Sequence, residues 1–283
     1  MQVDETVLAL KREALRVQLR EAAPLIVAYS GGVDSAFLLA EAARVLGDGV
    51  TGVIADSPSL PRKALSDALD LARALGVAVE VVLTREFDNP EYLANPNNRC
   101  YFCKAELFRT LEEMAKERGI PSLAYGENAD DMAQVRPGRR AAAEFRVMAP
   151  LRDVGLTKLE IRRLSADLGL PTADRPAQPC LSSRIPHGTP VTRDALAMVE
   201  AAEEWVRSLG FRVFRVRHLV GPDRISSGVF VPVGEELYPR ARVQVAPEEM
   251  FRVTGLEGQI EGGLMAAGYR SVEIDPAGYR GAS

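Results

Sequence analysis

Short apolar runs alternate with amphipathic helical segments along the first half of the chain, and this rhythm leaves few folds open. Apolar runs of this kind are typical of parallel strands buried on both faces, and their alternation with helices predicts a doubly wound parallel sheet. The predicted strands are residues 25–29, 50–55, 78–83 and 122–125, and the predicted helices are residues 5–21, 33–46, 62–75 and 104–118. We therefore expect an α/β, Rossmann-like domain over residues 1–170.

The pattern changes after residue 150. A helix is predicted from Thr157 to Leu168, and several prolines then interrupt residues 171–191, which excludes a single regular element there. Beyond this loop the predicted elements are a helix over 192–209, strands over 211–219, 229–233, 241–245 and 270–274, and a helix after Pro247. This order predicts a second, smaller α+β domain over residues 192–283, joined to the first by the proline-rich loop.

The junction between the first predicted strand and the next helix has the composition of a phosphate-binding turn. Its residues are Ser30, Gly31, Gly32, Val33, Asp34 and Ser35. A strand that leads into a helix aims backbone N–H groups and the positive end of the helix at an anion, and glycines allow close approach. Because Asp34 would repel phosphate, the turn predicts pyrophosphate with Mg²⁺ in between. The motif matches neither the lysine-containing P-loop nor the dinucleotide fingerprint, which disfavours both of those functions.

The chain contains three cysteines, Cys100, Cys103 and Cys180. An odd number, with no apolar signal segment at the N-terminus, disfavours a disulfide framework and leaves metal binding, catalysis or burial. The C-x-x-C spacing of the first two lets both thiolates reach one metal, and three thiolates would leave one iron of a [4Fe–4S] cluster open. A zinc site that borrows His187, a redox pair without Cys180, and three unrelated cysteines remain alternatives.

Several segments together resemble the LarE family of ATP-dependent sulfur transferases, which build the nickel-pincer nucleotide cofactor. The Ser-Gly-Gly-x-Asp-Ser turn alone is similar to the whole superfamily of PP-loop ATP pyrophosphatases, whereas the Cys-Leu-Ser-Ser-Arg and Asn-Ala-Asp-Asp segments are more specific. The resemblance covers residues 10–215 and rests on residues 30–35, 55–61, 98–104, 126–131, 136–138, 150–151 and 176–188.

The resemblance implies that ATP adenylylates one carboxylate of a pyridinium dicarboxylate mononucleotide, with release of pyrophosphate, and that sulfur then converts it to a thiocarboxylate. In one branch of the family, a cysteine at the position of Cys180 gives up its own sulfur. In the other, three cysteines hold a [4Fe–4S] cluster that carries sulfide. Because all three cysteines are present here, the resemblance favours the second branch, with ATP, Mg²⁺ and the cluster as cofactors and a sulfide donor as partner.

The expected site residues follow from this chemistry and from the resemblance. Catalytic roles are expected for Cys180, Lys104 and Asp34. Nucleotide and Mg²⁺ binding is expected from Ser30, Gly31, Gly32, Asp34, Ser35, Asp56, Ser57, Asp130 and Asp131. Substrate binding is expected from Arg136, Arg184 and Arg215, and cluster binding from Cys100, Cys103 and Cys180.

Two other enzyme classes share parts of this pattern. A tRNA thiolation enzyme also combines such a turn with clustered cysteines, but the RNA backbone favours a basic surface. The 35 basic and 39 acidic residues of this chain give a net charge of −4, so a nucleic acid partner is not expected. An ammonia-dependent amidotransferase or synthetase would use the same turn without a thiol.

Features outside the site bear on location and assembly. The chain has no run of about 18 apolar residues and no signal segment, so we expect a cytoplasmic protein without a membrane partner. The resemblance implies a homo-oligomer. It weakens after Val220, where residues 222–238 look like an insertion and Gln244 stands where the family tends to carry a glutamate.

Overall fold

The computed structural model describes residues 3–133, 137–176, 178–221 and 238–279. Contacts divide the chain into two compact units, of which the first comprises Met1–Tyr92 and Asn98–Gln178 and the second Leu93–Asn97 and Pro179–Ser283. The later division falls inside the proline-rich segment. Among the described helices, none has the length and hydrophobicity that crossing a membrane requires.

A parallel sheet forms the centre of the first unit. Its strands are β1 (Leu25–Ala28), β2 (Val50–Asp56), β3 (Val79–Leu83) and β4 (Ser122–Tyr125). They pair in the order β3-β2-β1-β4, all in parallel. The helices in this part of the chain are α1 (Glu5–Glu21), α2 (Val33–Leu46), α3 (Arg62–Ala74), α4 (Pro90–Leu93), α5 (Arg99–Arg118), α6 (Pro137–Glu144), α7 (Pro150–Asp153) and α8 (Lys158–Asp167). The predicted α/β sheet is confirmed.

Alternate residues of β1 face opposite helical layers. Leu25 and Val27 pack into a core with α1, α2, α3 and α8, whereas Ile26 and Ala28 pack with α5 and α6. All four side chains are buried, because helices cover both faces of the sheet. Since the strands run in the same direction, the segments that follow them gather at one edge. The turn after β1 therefore lies beside the loops that follow β2 and β4.

Helix α5 begins at Arg99, so the expected start near Lys104 is wrong. Residues 99–103 contain neither glycine nor proline to keep the chain out of a helix. The backbone N–H of Tyr101 donates to Asn98 O at 2.8 Å, which closes a first turn. Both cysteines of the C-x-x-C motif consequently lie within the helix, three positions apart, on the same side.

A smaller sheet covered by helices forms the second unit. Its strands are β5 (Phe214–Val220), β6 (Pro239–Val245) and β7 (Ser271–Ile274), and its helices are α9 (Arg193–Ser208) and α10 (Glu257–Ala266). β6 is antiparallel to β5 and parallel to β7. One face, which includes the fully buried Val216 and Val243, packs against the helices. The predicted α+β character is confirmed, while the predicted strand over 229–233 lies outside the described residues.

Strand β5 begins at Phe214, later than the sequence predicted. The backbone N–H groups of Arg212 and Val213 donate to the Glu249 carboxylate, at 3.0 and 2.9 Å, instead of to a neighbouring strand. Phe211 is buried in the core of the unit. A side chain from a later element therefore decides where this strand starts.

The excursion Leu93–Asn97 braces an irregular loop of the second unit, residues 185–191. Asn95 is fully buried, and its Nδ2 donates to the carbonyl oxygens of Pro186 and Thr189, both at 2.8 Å. Two backbone hydrogen bonds between the same segments add to these. Polar backbone groups of a loop without regular structure are satisfied in this way.

Candidate active site

The turn after β1 is held in a fixed shape by its serines and glycines. Gly31 has a φ of +72°, and a Cβ there would lie 2.7 Å from the Cβ of Ala68, so this position requires glycine. Ser35 Oγ accepts a hydrogen bond from the backbone N–H of Ser30 at 3.2 Å and donates to Gly32 O at 3.1 Å. Gly32 is the N-cap of α2. The first N–H groups of α2, which make no intrahelical bond, therefore face the space beyond β1.

Asp34, in the first turn of α2, has two oxygens in different environments. Oδ2 accepts hydrogen bonds from the ammonium of Lys158 at 2.7 Å and from the side-chain amide of Asn128 at 3.2 Å. Oδ1 is buried, and no described residue donates a hydrogen bond to it. A buried carboxylate oxygen without a partner is costly, and it is the kind of ligand that Mg²⁺ takes. The residues of this turn therefore fit the predicted metal.

The loop after β4 packs against the first turn of α2. A Cβ at Gly126 would lie 2.7 Å from a backbone nitrogen of that turn, so the close approach requires glycine. Asn128 and Asp131 exchange hydrogen bonds between backbone and side chain, both at 3.2 Å. Asp130 Oδ2 accepts a hydrogen bond from the backbone N–H of Lys158 at 2.8 Å. Of the predicted acid pair, Asp131 shapes the loop and Asp130 fixes the start of α8.

Asp56 and Ser57 lie where β2 ends, beside the turn after β1. The Asp56 carboxylate forms an ion pair with Arg62 at 2.6 Å. The same guanidinium donates to the carbonyl oxygens of Ser57 at 2.9 Å and Leu60 at 2.7 Å. Arg62 therefore fixes the backbone of this loop, and the nucleotide contacts expected from Asp56 and Ser57 stay predictions.

Lys104 lies on α5 with its ammonium 4.4 Å from the centre of the Tyr125 ring. A Cβ at Gly138, on α6, would lie 2.6 Å from Lys104 Cδ, so the lysine chain occupies space that this glycine leaves. The Tyr125 hydroxyl donates to Glu127 Oε2 at 2.6 Å. Burial, together with this carboxylate, raises the pKa of Tyr125. The ring and the glycine thus fix the direction of the predicted catalytic lysine.

Glu127 is a buried acid for which the sequence predicted no role. Its carboxylate accepts hydrogen bonds from Arg139 at 3.0 Å and Arg152 at 2.9 Å, in addition to the one from Tyr125. Burial acts to raise the pKa of Glu127, but these hydrogen bonds and the two positive charges hold it below its usual value. The arginines come 12 and 25 positions later in the chain, so no local pattern marks this acid.

The three cysteines are divided between the two units. Cys100 is exposed and Cys103 half-buried on α5 in the first unit, whereas Cys180 is exposed in the second, immediately before the 3₁₀ turn Leu181–Arg184. None of them forms a disulfide. Within the described ranges, no three His, Cys, Asp or Glu side chains form a group that could hold a metal ion. The donor type fits the predicted cluster, but the described side chains do not gather into a three-thiolate site.

Arg184 holds the backbone around Cys180. Its guanidinium donates to both oxygens of the Glu203 carboxylate, at 2.8 and 3.0 Å, and both side chains are buried. Nη1 donates to the carbonyl oxygens of Pro179 at 2.7 Å and Cys180 at 3.2 Å, and to Ser183 Oγ at 2.9 Å. These bonds engage each nitrogen of the guanidinium within the protein. A direct contact of Arg184 with substrate therefore stays a prediction.

Arg215, on β5, is a buried cation with an incomplete set of partners. The residue is 7% exposed, and its guanidinium carbon lies 4.5 Å from the centre of the Tyr279 ring. Its Nη2 is buried and finds no acceptor in the part of the chain that the structure describes. Burial lowers the pKa of Arg215, and the charges of Arg184 and Arg217 act in the same direction. Such a group of cations favours the binding of an anion.

Arg217, two positions further along β5, faces the same side of the sheet. Its Nε donates to Gln244 Oε1 at 3.1 Å, and Gln244 Nε2 donates to Asp275 Oδ2 at 2.8 Å. The glutamine that departs from the family pattern is therefore paired on both sides within this sheet. The predicted substrate ligand Arg136 lies outside the described residues, as do residues 222–237 of the predicted insertion.

Comparison with known proteins identifies relatives of the whole chain and of its first part. No family model matches. The pyridinium-3,5-bisthiocarboxylic acid mononucleotide synthase of Lactiplantibacillus plantarum is 31% identical over 274 residues, which are 96% of this chain and 93% of the relative. An uncharacterized protein of Synechocystis sp. is 46% identical over 207 residues, 73% and 77% of the two chains. A glutamine-hydrolyzing GMP synthase of Methanococcus vannielii, one of that enzyme's separate polypeptides, is 26% identical over 165 residues, 54% and 53% of the two chains.

Proposed function

The chain belongs to the LarE family, the pyridinium-3,5-bisthiocarboxylic acid mononucleotide synthases, and we propose that it uses ATP to transfer sulfur to a carboxylate of a pyridinium dicarboxylate mononucleotide. The observation that best supports this is found in the second unit. There Arg184 holds the backbone of the exposed Cys180, and beside Arg184 lies Arg215, whose buried Nη2 has no acceptor among the described residues. A thiol close to an anion-binding group suits a substrate that carries a phosphate.

ATP is proposed to bind in the first unit, at the turn after β1. The N–H groups at the start of α2 and the hydroxyls of Ser30 and Ser35 would hold its phosphates. Mg²⁺, when bound, supplies positive charge that offsets the charge of the phosphates. Asp34 is proposed to hold the metal through Oδ1, the oxygen for which no described donor exists. Asn128 orients this carboxylate through the other oxygen.

The first step we propose is adenylylation of the substrate carboxylate. One of its oxygens attacks the α-phosphorus of ATP, and the bond to the β-phosphate breaks, so that its electron pair leaves with pyrophosphate. Negative charge develops on phosphate oxygens in this step, and a preorganised cation stabilises it. Lys104, whose direction is set by Tyr125 and Gly138, is proposed as that cation.

In the second step sulfide replaces AMP. Attack on the acyl carbon forms a carbon–sulfur bond, and the carbon–oxygen bond to AMP breaks with its electron pair on the departing phosphate, which leaves a thiocarboxylate. We propose that Cys100, Cys103 and Cys180 hold a [4Fe–4S] cluster, which when bound supplies the sulfide at an iron without a protein ligand. The substrate phosphate is proposed to bind Arg215 in the second unit.

An anaerobic turnover assay tests the proposed reaction. The purified protein is incubated with ATP, Mg²⁺, sulfide and the pyridinium dicarboxylate mononucleotide. We expect AMP and pyrophosphate in equal amounts, and a product in which sulfur has replaced one oxygen, identified by mass spectrometry. Cys180→Ser should retain pyrophosphate release and lose the sulfur product, whereas Asp34→Asn should lose both. Wild-type protein that releases pyrophosphate but forms no sulfur product would contradict sulfur transfer.

Metal analysis of the anaerobically reconstituted protein tests the cluster separately. We expect about four irons per chain, the content of a [4Fe–4S] cluster. Cys100→Ser and Cys103→Ser should each lower the iron content. Tightly bound zinc without iron would contradict the cluster and leave the adenylylation step standing.

The similarity to GMP synthase favours one alternative, an ammonia-dependent amidation at the same adenylylated carboxylate. That chemistry requires no thiol. Full activity of Cys180→Ser with ammonium as the nucleophile, and no sulfur product from the wild-type protein, would select it over sulfur transfer.

A further inference from the structure

The contact between Lys158 and Asp34 joins the start of α8 to the start of α2. The ammonium lies 2.7 Å from Asp34 Oδ2, although the two residues are 124 positions apart in the chain. An ammonium at the N-terminal end of a helix faces the positive end of its dipole, which weakens a purely structural ion pair there. The same position becomes favourable when an anion binds at that helix end.

The backbone around Lys158 is fixed independently of this contact. Its N–H donates to Asp130 Oδ2 at 2.8 Å. Thr157, the N-cap of α8, and Glu160 form a reciprocal capping box, and Glu160 also forms an ion pair with Lys11 at 2.8 Å. The start of α8 is therefore held in place, and the lysine can change partner only by movement of its flexible side chain.

Asp34 is placed so that a metal and the lysine affect each other. The lysine contacts Oδ2, while Oδ1 is buried without a donor among the described residues. A divalent cation on this carboxylate would repel the ammonium beside it. The Lys158 side chain is 36% exposed, so its ammonium can leave Asp34 without breaking into the core. Phosphate oxygens at the start of α2 would be acceptors within its reach.

We infer that Lys158 is a phosphate ligand that alternates between Asp34 and the nucleotide. Without metal, its ammonium neutralises Asp34. When Mg²⁺ binds Asp34, the ammonium moves to the phosphates, where it stabilises the charge that departs with pyrophosphate. The lysine and the metal therefore compete for one carboxylate. This inference rests on the proposed function only in taking ATP as the nucleotide.

Binding measurements without turnover test the competition. Lys158→Met removes the charge and keeps an apolar side chain. We expect it to bind Mn²⁺, followed by electron paramagnetic resonance without nucleotide, about fivefold more tightly than the wild-type protein, because the competing ammonium is gone. It should bind Mg²⁺-free ATP, followed by calorimetry, about tenfold more weakly, the loss of one charged hydrogen bond.

Lys116→Met is the matched control, since Lys116 is 69% exposed on α5 and its loss changes the net charge equally. Both of its binding constants should stay within about twofold of wild type, as for a surface ion pair. If Lys158→Met shows the control's Mn²⁺ affinity, the competition is refuted, and if it shows the control's ATP affinity, the phosphate role is refuted. Circular dichroism checks the fold, and Lys158→Gln repeats both measurements if the first variant unfolds. Loss of sulfur transfer in the wild-type protein, with both binding shifts present, would contradict the proposed function alone.

Discussion

Replacement of Arg215 by methionine is expected to stabilise the second unit while it weakens substrate binding. The buried Nη2 has no acceptor among the described residues, and a buried donor without a partner costs about 1–3 kcal/mol of unfolding free energy. Methionine removes that donor and adapts to the buried space. The variant also loses the contact with the Tyr279 ring, worth about 0.5–1 kcal/mol. The net expectation is a gain of about 1 kcal/mol in the free energy of unfolding.

Arg217→Met is the matched control on the same face of the same strand. The Arg217 guanidinium has acceptors in Gln244 Oε1 at 3.1 Å and Ser183 O at 3.4 Å. Its replacement breaks hydrogen bonds instead of removing an unsatisfied donor, so the free energy of unfolding should fall by about 0.5–1.5 kcal/mol. One chemical change should thus have opposite effects at two positions of β5.

The single tryptophan provides the assay. Trp205 lies on α9 in the second unit, so its fluorescence during urea unfolding reports on that unit. Calorimetry should show substrate binding weakened about tenfold or more in Arg215→Met, because a hydrogen bond to a charged group contributes about 1.5–3 kcal/mol. If Arg215→Met loses as much stability as Arg217→Met, the argument from the unsatisfied donor is refuted. If substrate affinity is unchanged, the phosphate role is refuted.

Two further predictions concern the lysine of the first unit and a histidine of the second. Gly138→Ala would place a Cβ 2.6 Å from Lys104 Cδ, so we expect pyrophosphate release to slow by about tenfold to a hundredfold through misplacement of the ammonium. Gly262→Ala, where a Cβ meets no atom within 4 Å, should leave the rate unchanged in the same assay. Burial lowers the pKa of His218, so the unfolded chain takes up the proton first, near pH 6.5. Stability of the second unit should be constant above that pH and fall below it by up to about 1.4 kcal/mol per pH unit. Urea unfolding followed by Trp205 fluorescence should show this slope, and His218→Gln should remove it.

The sheet of the first unit and the turn after β1 could be predicted from sequence because their signals are local. Each strand is a short apolar run followed by a helical pattern, and Gly31 and Gly32 stand directly at the junction. The start of α5 was predicted too late, because nothing in residues 99–103 distinguishes a first helical turn from a loop that precedes one. The decisive bond there is a backbone contact, which leaves no compositional trace.

The partners of the site residues could not be predicted, because they come from distant parts of the chain. Lys158 reaches Asp34 across 124 positions. Arg184 resembles a surface arginine in sequence, yet the structure pairs it with a buried glutamate 19 positions later. Arg215 alternates with Arg217 as it would on a solvated strand face. Its burial depends on the Tyr279 ring, which comes from the end of the described chain.

The excursion Leu93–Asn97 makes the second unit discontinuous in sequence. Asn95 and Pro186, which it binds, are 91 positions apart, so during synthesis the amide emerges long before its acceptors, and β4 is made in the interval. A fragment cut at the proline-rich segment would keep β5, β6 and β7 but lose the residues that complete its own loop. The second unit therefore cannot be isolated by truncation alone, and its last contacts form only after most of the first unit has left the ribosome.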